Sequence, residues 1–190
     1  MENKRKIGAA VIGYGGMGSW HAEKIKEIDG LELIGTYDIL AERCDLSESK
    51  GIRAFCSREE LLADERIELV TIATPNDVHK EIAIAALEAG KNVICEKPVA
   101  MNSQELEEMI AVAEKTGKLF TVHQNRRWDK DYLTVRKIIE ENMLGRVYNI
   151  ESRVQGDRGV PGDWRNRKAQ GGGMVLDWGV HLLDQMLMIK

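Results

Sequence analysis

A glycine-rich turn joins an apolar run to a helical pattern within the first thirty residues of this chain. Residues 7–12 form the apolar run, Gly13-x-Gly15-x-x-Gly18 forms the turn, and apolar residues then recur at helical spacing until Gly30. An apolar run without alternation is typical of a strand that is buried on both faces of a parallel sheet. This opening therefore predicts a doubly wound α/β fold.

The same alternation of strand and helix continues to residue 123. Two capping signals, Ser57-x-x-Glu60 and Asn102-x-x-Glu105, predict helix starts. We predict further strands over 31–38, 53–55 (short at best), 69–74, 92–96 and 119–123, and helices over 41–49, 57–62, 78–89 and 102–116. Short connections imply right-handed crossovers and a parallel sheet covered on both faces.

The pattern changes after residue 123. We predict a helix over 131–141, an alternating strand over 146–154, a loop rich in glycine and charge over 155–173, and a last helix over 174–189. We assign residues 1–123 to a first domain and 124–190 to a second, the start of an α/β (α+β) domain. The second domain is incomplete, because a single strand cannot make a sheet.

Composition narrows the class of protein. The net charge of −4 argues against a nucleic-acid surface, and no apolar run approaches the ~20 residues that cross a bilayer. Cys44, Cys56 and Cys95 are odd in number and lack metal-like spacing. We therefore expect reduced thiols in a cytoplasmic protein without a metal site.

The glycine turn fits a dinucleotide-binding fingerprint. Its first glycine permits the tight turn, its second lets the backbone approach a pyrophosphate, and its third allows close helix–strand packing. The helix that follows presents free N–H groups to the phosphates. We expect cofactor contacts from Gly13, Tyr14, Gly15, Gly16, Met17 and Gly18. A glycine-rich turn without a ligand is the alternative.

An acidic residue stands at the end of the second predicted strand. Asp38 lies 20 residues beyond Gly18, close to the ~20 expected for the carboxylate that binds the adenosine ribose. A carboxylate there repels a 2′-phosphate, and neither Ile39 nor Leu40 supplies a positive charge. The sequence therefore favours NAD over NADP, with a solvated turn aspartate as the alternative.

Thr74-Pro75-Asn76 follows a predicted strand at the carboxyl edge, where ligands of open α/β sheets lie. A cofactor contact and capping of the next helix by Asn76 are both open interpretations. His79, in the first turn of that helix, is either a further cofactor contact or a surface residue.

Glu96-Lys97-Pro98 ends another predicted strand at the same edge. A lysine near a nicotinamide can polarise a substrate hydroxyl or stabilise an alkoxide as hydride leaves. We therefore assign Lys97 a catalytic role and expect Glu96 and Lys97 to contact the cofactor as well. A surface lysine in a loop is the alternative.

Asp177 and His181 are four residues apart on the last predicted helix, so they share a face, with Asp184 a further turn on. An imidazole can accept the hydroxyl proton as hydride moves, and the aspartate can bind another hydroxyl or orient the ring, so we name His181 and Asp177 as catalytic. Residues 171–173 are glycines that would let a ligand approach the helix start. An ordinary polar helix face is the alternative.

Aromatic and basic residues around the second predicted domain are secondary candidates. They line a substrate pocket, or they serve interdomain packing and salt bridges. The set is Arg126, Arg127, Trp128, Trp164 and Arg165. Of these we name Arg126 and Trp164, together with Asp177 and His181, as substrate-binding residues.

Taken together, these motifs resemble the glucose–fructose oxidoreductase / inositol dehydrogenase / MocA (Gfo/Idh/MocA) family of NAD(P)-dependent oxidoreductases. The resemblance spans nearly the whole chain. It is carried by Gly13-x-Gly15-x-x-Gly18, Thr74-Pro75-Asn76-x-x-His79, Glu96-Lys97-Pro98, Asn125-Arg126-Arg127-Trp128 and Gly171-Gly172-Gly173-x-x-x-Asp177-x-Gly179-x-His181-x-x-Asp184.

The resemblance implies an N-terminal Rossmann domain and a C-terminal domain on a large, mostly antiparallel sheet. One face of that sheet would carry the substrate site, and the other often forms a homo-oligomer interface. Lys97 and His181 would be the catalytic pair and Asp177 a substrate contact, in hydride transfer to or from a sugar, a polyol such as an inositol, or a related hydroxyl compound.

Two other functions fit the same motifs. One is a glycoside-cleaving relative that uses NAD for transient oxidation, and the other is a dinucleotide- or sugar-sensing protein without catalysis. Members of the family run considerably further than Lys190, so we expect a fragment with weak or absent turnover.

Overall fold

The computed structural model describes residues 5–156 and 162–189. The chain divides between Val122 and His123 into two compact units. The predicted loop at 155–173 lies partly outside the described residues. No helix in the described ranges has the length and apolar character that a membrane span requires.

The first unit is built on a parallel sheet of five strands. They are β1 (Ile7–Ile12), β2 (Leu31–Tyr37), β3 (Leu69–Ile72), β4 (Asn92–Cys95) and β5 (Phe120–Val122). Their spatial order is β2-β1-β3-β4-β5, and all neighbouring strands are parallel. The chain passes from β1 to β2 on one side and then returns to place β3 on the other. The sheet therefore has its topological switch point between β1 and β3.

Helices connect the strands as the alternation predicts. They are α1 (Gly16–Glu27), α2 (Ala41–Ser49), α3 (Arg58–Ala63), α4 (His79–Glu88) and α5 (Ser103–Thr116). The two predicted caps are confirmed, since Ser57 Oγ accepts the Glu60 N–H at 3.0 Å and Asn102 Oδ1 accepts the Glu105 N–H at 2.9 Å. Gly117 ends α5 in the left-handed conformation at φ 65°.

The strands of the sheet centre are buried on both faces. Val11 packs with Tyr14, Ala22 and Ile25 in one apolar cluster, whereas Ile12 belongs to a larger cluster on the other face. Val11 is 0% exposed and Ile12 1%. This two-sided burial explains why β1 is an uninterrupted apolar run.

One predicted strand of the first unit is not formed. Residues 53–55 contribute a single bridging pair, Thr36 with Ala54, so the described sheet has five strands where the sequence suggested six. The residues on either side of Ala54 both bond to Thr36. The Thr36 N–H donates to the Arg53 carbonyl oxygen at 2.9 Å, and the Phe55 N–H donates to the Thr36 carbonyl oxygen at 2.8 Å. The segment follows the edge of β2 only briefly before α3 begins.

The second unit contains α6 (Lys130–Glu140) and α7 (Val180–Met188), with 3₁₀ turns at Asn125–Trp128, Trp164–Asn166 and Lys168–Gln170. The strand predicted over 146–154 is wrong, because these residues adopt no regular structure. A strand requires a hydrogen-bonded neighbour, and no other strand forms among the described residues of this unit.

The last helix also differs from the prediction. A π-helical turn, Val175–Gly179, precedes α7. Such a turn inserts a residue into the helical ladder and changes the angular spacing of side chains. The argument that Asp177 and His181 share a face, which assumed regular α-helical periodicity, therefore does not hold across this turn.

Candidate cofactor and catalytic site

Four strands of the first unit end side by side. Ile12 is the register partner of both Tyr37 and Ile72, and Ile72 is the partner of Cys95. The segments that follow these residues therefore leave the sheet together at its carboxyl edge. They carry the glycine turn, Asp38, Thr74-Pro75-Asn76 and Glu96-Lys97-Pro98.

Two glycines of the turn are required by the protein itself. Gly13 has φ +91°, and a Cβ there would lie 2.7 Å from the Ala73 carbonyl oxygen. A Cβ on Gly18 would overlap the carbonyl oxygen of Gly13. These positions fix the turn and the close approach of α1 to β1.

Gly15 and Gly16 have space where a Cβ would lie. A Cβ on Gly16 would meet nothing within 4 Å in the described part of the chain, and a Cβ on Gly15 would first meet the Arg43 guanidinium at 3.4 Å. The protein does not need glycine at these positions for its own packing. The space fits a ligand that approaches the backbone closely, as the pyrophosphate of a dinucleotide does.

The start of α1 suits an anion. Gly15 is the N-cap residue and, within the described residues, no side chain caps this end and no acidic residue lies in the first turn. The first amides of α1 and its positive dipole end are therefore available to phosphate. Residues 13–18 fit the dinucleotide that the sequence predicts.

Asp38 follows β2 and is bonded to the glycine turn. Its side chain is 3% exposed. Oδ2 accepts the Tyr14 N–H at 2.7 Å, and Oδ1 accepts the Leu40 N–H at 2.9 Å. The aspartate is thus held beside the turn and is not a solvated turn residue.

Arg43 was missed by the sequence interpretation, which examined only the two residues directly after Asp38. Its Nη1 lies 3.2 Å from Asp38 Oδ2, and its guanidinium is the group nearest to a Cβ on Gly15. The signal that could have found it is its place in the first turn of α2, which brings its side chain back over the strand end.

His79 is a buried residue, so the surface interpretation is wrong. It is 0% exposed. Nδ1 lies 2.9 Å from the Pro98 carbonyl oxygen and Nε2 lies 3.0 Å from the Thr74 carbonyl oxygen. Burial lowers the pKa of its imidazole, and the two backbone carbonyls oppose that shift. His79 thus connects the segments that follow β3 and β4.

Asn76 does not occupy the capping position that one interpretation gave it. It begins a 3₁₀ turn, Asn76–Val78, and Val78 is the N-cap residue of α4. The side chain of Asn76 is buried at the carboxyl edge. Its position beside β3 keeps it among the candidate cofactor contacts.

Lys97 lies between two anchored residues. Glu96 is 6% exposed and its Oε1 lies 2.7 Å from His21 Nε2, while its Oε2 accepts the Lys97 N–H at 3.3 Å. Pro98 follows through a cis peptide bond. Lys97 itself is half-buried. Sequence reasoning singled out Lys97 but did not find the contact between His21 and Glu96.

The second unit has its own cluster of charged and aromatic side chains. Arg126 lies over the Trp178 ring at 4.1 Å from its centre and pairs with Asp129 at 2.8 Å. Arg127 binds Asp184 through two bonds of 2.8 and 2.6 Å. Arg126 and Arg127 thus form ion pairs within this unit, which supports the salt-bridge interpretation for both and leaves interdomain packing untested.

The candidate catalytic residues of this unit are buried or half-buried. His181 is 4% exposed, and its ring meets Trp178 edge-on at 6.0 Å between ring centres. Asp177 lies in the π-helical turn, with Arg165 Nε at 3.8 Å from its Oδ2. Arg165 also lies over the ring of Trp164 at 4.6 Å.

The three glycines before this helix have backbone roles. Gly171 and Gly173 have φ of 73° and 118°, and a Cβ on Gly172 would overlap the Arg165 carbonyl oxygen. Local conformation and packing therefore explain these glycines without a ligand.

The fold and the carboxyl-edge residues define a dinucleotide-binding α/β domain, followed by a smaller second unit. The chain belongs to the Gfo/Idh/MocA family of oxidoreductases, because residues 7–124 match its "Oxidoreductase family, NAD-binding Rossmann fold" and residues 132–190 match the "GFO/IDH/MocA C-terminal domain". The first unit is the NAD-binding domain of this family.

Individual relatives agree with this assignment. The chain is 31% identical to scyllo-inositol 2-dehydrogenase (NADP⁺) IolW of Bacillus subtilis and 32% identical to D-glucoside 3-dehydrogenase of Escherichia coli, over 98% and 95% of its length. A solved NAD-binding protein from Listeria innocua is 53% identical, with a TM-score of 0.96 over 98% of this chain and 55% of that one. The chain covers 53% of each of the two dehydrogenases, so it spans about half their length.

Proposed function

We propose that the protein is an NAD(P)-dependent oxidoreductase that transfers a hydride between the nicotinamide and a hydroxyl-bearing carbon of a sugar, a polyol or a related compound. The observation that carries the proposal is the position of Lys97 at the carboxyl edge of the sheet that also holds the open glycine turn and Asp38. Two relatives named as dehydrogenases of an inositol and of a glucoside support the substrate class.

The proposed roles follow from the chemistry of each side chain. The bound nicotinamide would supply the hydride acceptor. Lys97 would hold the substrate hydroxyl and stabilise the negative charge that develops on its oxygen. His181 would accept the hydroxyl proton, and Asp177 would bind another hydroxyl. Arg126 and Trp164 are proposed substrate contacts, although both make contacts within their own unit.

We propose NAD as the preferred cofactor. The buried carboxylate of Asp38 lies beside the glycine turn, where it can accept hydrogen bonds from ribose hydroxyls and repel a 2′-phosphate. Arg43 opposes this preference, because its guanidinium can bind a phosphate. We also propose a cytoplasmic enzyme that forms a homo-oligomer, with its domain boundary at residues 123 and 124.

Calorimetry with NAD and with NADP on this chain tests the cofactor, and NADH absorbance with inositols and aldoses in the same sample tests the reaction. Lys97→Met is the matched variant, since it removes the amine and keeps the apolar stem. We expect it to keep NAD binding, weakened by the loss of one cofactor contact, and to show no turnover. Failure of the parent chain to bind either nucleotide would overturn the proposal.

The same experiment separates the alternatives. A glycoside-cleaving relative would release its aglycone without net NADH. A sensor would bind NAD and a sugar without turnover, both in this chain and in a version extended through the whole second domain. Lys97→Met would leave both of its affinities unchanged.

A further inference from the structure

We propose that His21 and His79 are positioning residues for Lys97, each fixing one of its two chain neighbours. His21 holds Glu96 through its side chain, and His79 holds Pro98 through its carbonyl oxygen. The inference rests on the proposed role of Lys97. It assigns a common purpose to two buried histidines on different helices of the first unit.

The first anchor joins α1 to Lys97. His21 lies in α1, the helix that begins at the glycine turn, and it is 7% exposed. Its Nε2 lies 2.7 Å from Glu96 Oε1, and the other oxygen of that carboxylate accepts the Lys97 N–H at 3.3 Å. The Trp20 ring meets the His21 ring edge-on at 5.2 Å between centres. A shift of α1 is therefore transmitted to the backbone of Lys97 through one carboxylate.

The second anchor joins the segment after β3 to Pro98, the residue that follows Lys97. The ring of His79 lies between the carbonyl oxygens of Pro98 and Thr74, at 2.9 and 3.0 Å. Carbonyl oxygens only accept hydrogen bonds, so the ring must donate. A neutral imidazole carries one N–H and donates to one carbonyl at a time, whereas a protonated ring donates to both. The bond from Nδ1 to the Pro98 carbonyl oxygen is the one that restrains the segment around Lys97.

Fixing Glu96 and Pro98 fixes the point on the backbone from which the flexible side chain of Lys97 starts. The lysine stem has four rotatable bonds, and the direction in which it leaves the backbone decides where its amine can reach. A misplacement of ~1 Å at a reacting group can cost ~100-fold in rate. A pair of buried anchors on either side of Lys97 restrains its Cα in this way.

The test uses the chemical reactivity of the Lys97 amine in the 190-residue chain, which needs neither a substrate nor turnover. Limited acetylation followed by peptide mass spectrometry gives the rate at Lys97 relative to exposed Lys115 of α5. His21→Leu removes the contact with Glu96, and His21→Gln retains a donor at the end of the side chain. We expect His21→Leu, and His79→Leu for the contact with Pro98, each to raise the relative rate about threefold or more, because the half-buried segment opens locally. We expect His21→Gln to restore the rate, and an unchanged rate in His79→Leu would overturn the role of His79.

Two further measurements keep the outcome decisive. Thermal unfolding of each variant identifies global destabilisation. Such destabilisation would raise the acetylation rate at buried Lys91 together with that at Lys97 and would overturn the proposal, as would an unchanged rate at Lys97. Should His21→Leu not fold, Glu96→Gln tests the same contact from its other side. NAD affinity measured on the same variants reports on the proposed function separately, because loss of NAD binding in the parent chain leaves the reactivity test intact.

Discussion

The Asp38 carboxylate joins the glycine turn to Arg43. Its Oδ2 accepts both the Tyr14 N–H at 2.7 Å and the Arg43 guanidinium at 3.2 Å. One oxygen thus contacts both the backbone of the turn and a cation. If the adenosine ribose binds beside Asp38, as proposed, cofactor preference depends on a balance between a negative and a positive group.

This balance predicts opposite effects of two substitutions. Arg43→Ala removes the cation, so we expect the ratio of NADP to NAD affinity to fall, by about tenfold for the loss of one charge-assisted bond. Asp38→Ser removes the repulsion of a 2′-phosphate, so we expect the same ratio to rise. Calorimetry with both nucleotides measures the ratio.

Arg58→Ala is the matched control for Arg43→Ala. Arg58 pairs with Glu81 at 2.8 Å on other helices of the unit, so its removal should leave the ratio unchanged. If Arg43→Ala leaves the ratio of NADP to NAD affinity unchanged, the guanidinium does not reach the nucleotide.

Substitution of Gly15 should weaken NAD binding, whereas substitution of Gly18 should lower the unfolding free energy. Gly15→Ala adds a methyl that the protein accommodates beside the flexible Arg43 side chain, whereas the methyl of Gly18→Ala overlaps the backbone of Gly13. We expect Gly15→Ala to unfold within about 1 kcal/mol of the parent chain but to bind NAD at least about tenfold more weakly.

Gly18→Ala should lose about 3 kcal/mol or more of unfolding free energy, because neither α1 nor the turn can move away without disturbing β1. Urea unfolding and calorimetry on both variants separate the two roles. Equal destabilisation by both substitutions would contradict this division.

The cysteines provide reporters of the nucleotide site. Burial raises the pKa of the Cys95 thiol, so we expect it to resist alkylation in the folded chain, whereas Cys56 is exposed. Cys44 is half-buried, and its thiol donates to the Asp38 carbonyl oxygen at 3.3 Å. We expect NAD to slow alkylation of Cys44 and to leave Cys56 unchanged. Equal protection of both thiols would argue against nucleotide binding beside Asp38.

The features that sequence could predict are those set by local patterns. The bounds of β1 and α2 agree with the prediction because an apolar run and a helical pattern are each sufficient to define them. The glycine turn and Asp38 follow from fixed spacing along the chain. The place of Arg43 in the first turn of α2 was a local signal, but whether its side chain reaches Asp38 depends on how α2 packs beside the turn.

The errors have the same origin. Residues 146–154 alternate as a strand does, but alternation specifies a face to bury and does not supply a neighbouring strand. For His79, the surface position was one of two open interpretations, and it is wrong because backbone carbonyls 5 and 19 residues away enclose the ring. Tertiary partners decided both cases.

The buried His79 predicts a pH dependence of stability in the first unit. Burial lowers the pKa of its imidazole below the ordinary value of 6.5 that the unfolded chain retains. Between these two values the unfolded state binds the additional proton, so the contribution of the neutral ring is present above pH 6.5 and is lost as the pH falls towards the folded pKa. The slope for one proton is at most about 1.4 kcal/mol per pH unit.

His79→Gln removes this titration while its amide can still donate to one of the two carbonyl oxygens. Urea unfolding between pH 7.5 and 5 should therefore show a smaller decline for the variant than for the parent chain. The carboxylates of Glu96 and Asp77 raise the imidazole pKa and are present in both proteins, so their effects cancel in the comparison to first order. Parallel stability curves would mean that the imidazole pKa of His79 is the same in the folded and unfolded chains, which would contradict the lowering by burial.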